Sequence, residues 1–299
     1  MCALLRKDEK VLIDKDIRKG LEPDYRKKLT VRIIAAIASF VASVVFSLAL
    51  VIDLEKETAL FKHGAWLFRL GAVICIIASI VCVICVLLIP RRQKEVTIIP
   101  NEADVEKYYS LEPFGMKCAR YICTALVFAG GSTMVVLAFA NKINAPQNPL
   151  FLVLSLVLFV PLALYFFSEL AVATAPANPR IYLVYGTIGL FWFIATVANG
   201  YLDRTYPISS EYFIFGNVAL ITVMLYLTYE MKLRTSTPAP RARLAFLCIA
   251  SIFNIGYTVG RIVMLVFGNS ISLGDTAMIT ISLGFSVYLG ARMFFYSED

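Results

Sequence analysis

The chain has 299 residues, of which 59% are hydrophobic and only 16% charged, with a net charge of +7 and a mean hydropathy of +0.76. Water-soluble domains are about 45–50% apolar and about 25% charged, so this composition excludes an ordinary soluble fold. The apolar residues fall in long blocks between short polar stretches, and the basic excess has no soluble domain in which to build a nucleic-acid surface.

An α-helix needs about 20 mostly apolar residues to cross the roughly 30 Å hydrocarbon core. Eight stretches meet that length: 31–52, 64–89, 118–140, 150–170, 181–201, 210–229, 244–267 and 275–295. They are too long, and alternate too little, for the strands of a closed barrel. The expected fold class is all-α, a polytopic membrane protein with eight transmembrane helices.

Ahead of the first span lies a charged tail, 1–30, in which Asp8, Glu9, Asp14, Asp16, Glu22 and Asp24 mix with basic residues around Val11, Leu12 and Ile13. That pattern fits a short interfacial helix ended by Gly20 or Pro23. So long a charged lead does not resemble a cleavable signal peptide, and Cys2 stands where myristoylation needs glycine.

Spans 1 and 2 occupy 31–90. The second carries Cys75, Cys82 and Cys85, which read as small polarizable packing residues, a redox or metal stripe being the alternative. With no cysteine on the outer side, no structural disulfide is expected. A loop, 91–117, follows. It opens Pro90-Arg91-Arg92, passes a strand-like 96–99 and reaches Asn101, a candidate N-cap with acids in the next turn. It is too short for a domain and reads as a clasp between spans or a docking surface. The six-helix membrane region, 118–299, holds spans 3–8.

Lys and Arg set orientation, because cytoplasmic flanks carry the excess. With the N-terminus inside, 22 of the 28 fall on cytoplasmic segments. Lys56, Lys62, Arg69, Lys142, Arg204 and Arg261 lie on the other side. Both termini are then cytoplasmic, and a plasma membrane is the expected location.

An internal repeat adds organisation. Leu164-Tyr165, Glu169, Thr174, Pro179, Arg180 and Leu183 recur 61 residues later as Leu225-Tyr226, Glu230, Thr235, Pro240, Arg241 and Leu244. A fainter third copy reads Val287-Tyr288 and Arg292-Met293. The pattern fits a two-helix unit of about 61 residues used three times in one orientation, as in parallel-repeat carriers. Interfacial tyrosines and helix-starting prolines are the plainer account of the same matches.

Ionisable residues at membrane depth are functional suspects, costing about 2.5–3.5 kcal/mol on insertion scales. Arg261 lies some 9 Å inside the outer end of span 7 at about 1.5 Å per residue, and Asp275, across a short loop, is its expected partner. Thr258 or Tyr257, then Asn254, continue the same helical face toward the midplane. Asn254, Thr258, Arg261 and Asp275 form the candidate substrate pathway; inter-helix hydrogen bonding as packing glue is the competing reading. Glu169, Glu230 and Arg292 form a candidate inner gate or ion pair. Ala38 with Ala42, Gly256 with Gly260, and Gly130-Gly131 mark places where helices can approach closely, and Pro161 can kink span 4.

The single histidine, His63, sits in an external loop, which excludes a bis-histidine haem, a two-histidine zinc site and a buried Ser-His dyad. A membrane aspartyl site needs two facing acids at similar depth, but Glu169 and Glu230 lie near the cytoplasmic interface and Asp275 at the other one, and no phosphate-binding glycine loop occurs. The expectation is therefore a protein without catalytic residues, metal or cofactor. Its leading function is a small-solute transporter or permease in the lipid bilayer, acting on a small-molecule substrate. The alternative is a membrane-embedded sensor or assembly subunit docking a cytoplasmic protein partner through its tail and the 91–117 loop.

Overall fold

The structure, a computed structural model, describes residues 2–53, 66–89, 114–140, 149–172, 179–202, 211–232, 239–266 and 273–295, with side chains described from residue 27 onward except near several helix ends. Among these residues the chain forms eight α-helices: α1 (Cys2–Ile52), α2 (Trp66–Leu87), α3 (Phe114–Phe139), α4 (Pro149–Val172), α5 (Pro179–Leu202), α6 (Glu211–Lys232), α7 (Pro240–Val266) and α8 (Leu273–Phe294). Seven are long and apolar enough to cross a membrane. The other, α4, has 24 residues, and its apolar stretch with described side chains is 153–167. The protein is an all-helical multipass membrane protein. Its outward faces agree, since large apolar side chains such as Phe40, Ile77, Val157 and Ile194 are exposed where only lipid tails can solvate them.

Local sequence sets the helix ends. α4, α5 and α7 begin on Pro149, Pro179 and Pro240. At a first helical position the missing N–H had no intrahelical partner to lose, and the ring already holds the helical φ. α8 carries Asp275 in its first turn and Arg292 in its last, each opposite in sign to the partial charge of that helix end. The tail differs from expectation. Instead of a short helix ending at Gly20 or Pro23, α1 runs unbroken from Cys2 through both residues into the span that begins at Lys27. Extending an existing helix needs no new nucleus, so one proline removes a hydrogen bond without ending the run.

α7 is the hub. It packs on α1, α2, α6 and α8, while α3 packs on α8 and α4, and α4 and α6 both pack on α5. Lipid tails are as apolar as leucine, so close approach rather than hydrophobicity holds such helices together. The glycines show where approach is closest. A Cβ on Gly256 would lie 3.1 Å from the Ala42 Cβ, and one on Gly130 only 2.7 Å from the backbone oxygen of Ala277. These contacts join α7 to α1 and α3 to α8. At Gly189 the same test meets the Leu162 Cα at 2.9 Å, beside Pro161, so α4 and α5 approach backbone to backbone there.

Two aromatic nests fill the interior. Phe46 of α1 meets Phe215 of α6 at 4.6 Å and Phe68 of α2 at 5.2 Å between ring centroids. On the other side Trp192 and Phe193 of α5 and Phe166 of α4 surround Phe285 of α8 at 5.5–6.4 Å. Ring pairs at such separations contribute about 0.5–1.5 kcal/mol each beyond area burial.

Candidate functional site

The site is best built along α7. Arg243, Ser251, Asn254, Thr258 and Arg261 recur at intervals that keep them near one helical face, and all five are buried. From Arg243 to Arg261 this column rises about 27 Å at 1.5 Å per residue, close to the thickness of a hydrocarbon core. It is polar from Ser251 to Arg261, whereas between Arg243 and Ser251 the same face carries the fully buried Leu247 and Ala250.

Midway, the Asn254 amide donates from Nδ2 to the Ser282 backbone oxygen at 3.2 Å and to Ser286 Oγ at 2.9 Å, and the Ser286 hydroxyl donates to the same Ser282 oxygen. α7 and α8 are thereby latched at the column's centre. The hydroxyls of Ser251 and Thr258, 0% and 1% exposed, have no hydrogen-bond partner among the described residues. A buried hydroxyl without a partner costs about 1–3 kcal/mol, and one such group lies on either side of the latch.

At one end, Arg261 Nη2 meets Asp275 Oδ1 at 2.9 Å, and the guanidinium lies 5.5 Å from the Tyr257 ring centroid. This is the partner that depth and loop length pointed to. At the other end, termed the arginine end, Arg292 Nη2 meets Glu230 Oε1 at 2.8 Å. The Tyr226 hydroxyl donates to the other Glu230 oxygen, and the Arg292 guanidinium sits 5.4 Å from the Tyr288 ring centroid. Arg243 and Arg120 act on the same carboxylate through space. Arg32 donates to the Met293 backbone oxygen at 3.1 Å. Among the described side chains, this end buries four guanidinium groups, from α1, α3, α7 and α8, and three of them act on Glu230.

Of the sequence-predicted residues, the structure brings Asn254, Thr258, Arg261 and Asp275 onto one column, and Glu230 with Arg292 into one pair. The side chain of Glu169, together with His63, most of the 91–117 loop and the tail side chains, lies outside the described residues. Glu230 is more enclosed than its place near a helix end implied, because Tyr226 and Arg292 cover it. Tyr165, Tyr226 and Tyr288, the three tyrosines at matching places in the repeat, are the largest fully buried side chains described. Phe166 meets two of them edge-on, its centroid 5.2 Å from that of Tyr165 and 5.8 Å from that of Tyr288.

Sequence reasoning took Arg32, Arg120 and Arg243 only as topology signals. A signal was available. Arg32 and Arg120 stand inside apolar blocks and Arg243 directly abuts one, whereas a solvated flanking charge has loop residues on both sides. Among the described residues, no three His, Cys, Asp or Glu side chains gather as a metal ion would require.

No protein-family model, no curated protein and no solved structure matches this chain. The functional reading therefore rests on the residues themselves.

Proposed function

We propose that the protein is a non-enzymatic membrane carrier for a small anion, that α7 and α8 form its route, and that the arginine end faces the cytoplasm. One observation carries the reading: a buried polar stretch of α7 from Ser251 to Arg261, holding two hydroxyls without hydrogen-bond partners among the described residues. An anion leaving water loses its hydration shell, and in a low-dielectric interior only prealigned donors and fixed positive charge replace it. Arg243, with Arg292 paired to Glu230, presents guanidinium donors at one mouth, and Arg261, paired to Asp275, does so at the other. Ser251, Asn254 and Thr258 supply neutral donors between.

In this conformation the Asn254 latch closes the column, so passage requires α7 and α8 to part at Ser282 and Ser286. Orientation follows from the 22 basic residues on the segments of the arginine end against 6 on the other side. A duplicated two-helix unit accounts for the three buried tyrosines: equivalent positions of a repeat meet where the units converge.

Cysteine accessibility tests the proposal. In a variant lacking the seven native cysteines, single cysteines replace Ser251, Asn254 and Thr258. Each is treated with membrane-impermeant anionic and cationic thiosulfonate reagents from either side. The carrier reading expects labelling at Asn254→Cys, faster with the anionic reagent. If all three positions stay unlabelled by both reagents while Arg261→Cys at the rim reacts, α7 is a packed strut and the route is absent.

A further inference from the structure

A groove of about 480 Å³ runs on the lipid-facing side between α1 and α8, floored by Ile255 and Val259 of α7. That volume lies within the roughly 300–1,000 Å³ of small-molecule sites. Three features define its chemistry. First, the serines that line it are spent on their own helix: Ser39, Ser43 and Ser47 donate to the backbone oxygens four residues earlier, at 2.7, 2.7 and 2.6 Å. The surface offered is therefore apolar despite its sequence. Second, Gly290 opens the α8 wall, since a Cβ there would meet nothing within 4 Å. Third, among the described side chains, basic residues precede the groove at its Ala36 end. Arg32 stands one turn before Ala36, the first lining residue of α1, and binds the backbone of Met293, which lines the opposite wall. Lys28, half-buried, stands a further turn back on the same face.

Length decides between occupants. From Ala36 to Leu48 the groove follows α1 for about 18 Å at 1.5 Å per residue. One leaflet of a roughly 30 Å core is about 15 Å deep, whereas a docked transmembrane helix would need the full depth. We infer that this groove holds an acyl chain of an anionic phospholipid, taken from the leaflet at the arginine end, with its phosphate beside the half-buried Lys28, while the buried Arg32 ties α1 to the Met293 backbone. A basic residue beside an anionic headgroup favours binding through charge. The inference is independent of the carrier reading, because the groove and the α7 column lie on different faces of α7.

The test is native mass spectrometry of the full-length protein released from vesicles of equal phosphatidylglycerol and phosphatidylcholine. One retained phosphatidylglycerol is expected. Gly290→Leu fills the groove into open space, so it should keep wild-type helicity and lose the bound lipid. Lys28→Gln should lower the ratio of anionic to zwitterionic lipid retained by about fivefold, and Lys28→Arg should keep most of it. Equal retention of the two lipids by the wild type overturns the inference. So does retention unchanged by both Gly290→Leu and Ser43→Phe. Displacement by free glycerol phosphate at lipid-equivalent concentration would show a headgroup site without a chain, and a protein dimer lost in Gly290→Leu would put a second copy in the groove.

Discussion

The Arg292–Glu230 and Arg261–Asp275 pairs have nearly the same length, 2.8 and 2.9 Å, at opposite ends of the bundle. Their surroundings differ. The first has side chains 3% and 5% exposed, and the second 9% and 30%. Glu230 is held by a tyrosine hydroxyl and lies near two further arginines, while Asp275 sits in the first turn of α8 with a third of its surface open. Distance alone therefore says little about what either pair contributes. A buried charge left without its partner is strongly destabilising, whereas an exposed one is resolvated by water.

The comparison breaks most readily at Glu230. Glu230→Ala should cost about 3–5 kcal/mol, the range for removing one member of a buried pair, read as the shift in unfolding of the purified protein in mixed micelles. The double replacement Glu230→Met with Arg292→Met should recover much of that loss, because the stranded charge leaves with its partner. A Glu230→Ala penalty no larger than that of an Asp275 variant would mean that the arginine end is hydrated and that burial does not distinguish the two pairs.

Next in size is packing between the ends. Gly130→Ala drives a methyl into the Ala277 backbone oxygen of α8 and should cost about 1–3 kcal/mol. Gly290→Ala, facing open space, should stay within about 0.5 kcal/mol. Equal effects in the same unfolding assay would contradict the α3–α8 approach. Asn254→Leu removes the latch midway and should cost about 0.6 kcal/mol, with about 1.7 kcal/mol as the upper bound for such inter-helix bonds. Its larger consequence is on labelling: with the latch gone, a cysteine at Ser251 should react faster than in the Asn254 parent.

The smallest effect belongs to the open pair. Asp275→Asn should cost less than about 1 kcal/mol. That difference should shrink between 0.1 and 1 M salt, as the screening length falls from about 10 Å to about 3 Å. The Glu230→Ala penalty should hardly move over the same range. A salt-insensitive Asp275→Asn effect would make the two ends alike.

Membrane class, the helical spans and the pairing of Arg261 with Asp275 were legible in the chain, each for a local reason. Hydropathy over about 20 residues reports the solvent a helix needs, and a short loop leaves few partners for a charge at that depth. The polar face of α7 was legible too, because helical periodicity puts Asn254, Thr258 and Arg261 in line before any neighbour is known. The buried role of Arg32, Arg120 and Arg243 was not. A basic residue at the edge of an apolar block satisfies the topology rule whether it snorkels to water or turns inward. The choice between those depends on which helix lies beside it.

The sequence by itself determined that this protein lives in lipid, that it does so as helices, and which residues carry charge into the apolar blocks, because those properties follow from composition and from the helical period. Only the tertiary structure decided that arginines from three helices act on Glu230, that Asn254 latches α7 to α8, and that α1 and α8 leave a groove at Gly290. Each depends on contacts between segments far apart in the chain, as in the 261 residues separating Arg32 from the Met293 oxygen it binds. No local pattern encodes which helix faces are neighbours. That choice is made by the fit of glycines, alanines and aromatic rings in a medium where hydrophobicity no longer discriminates between helix faces.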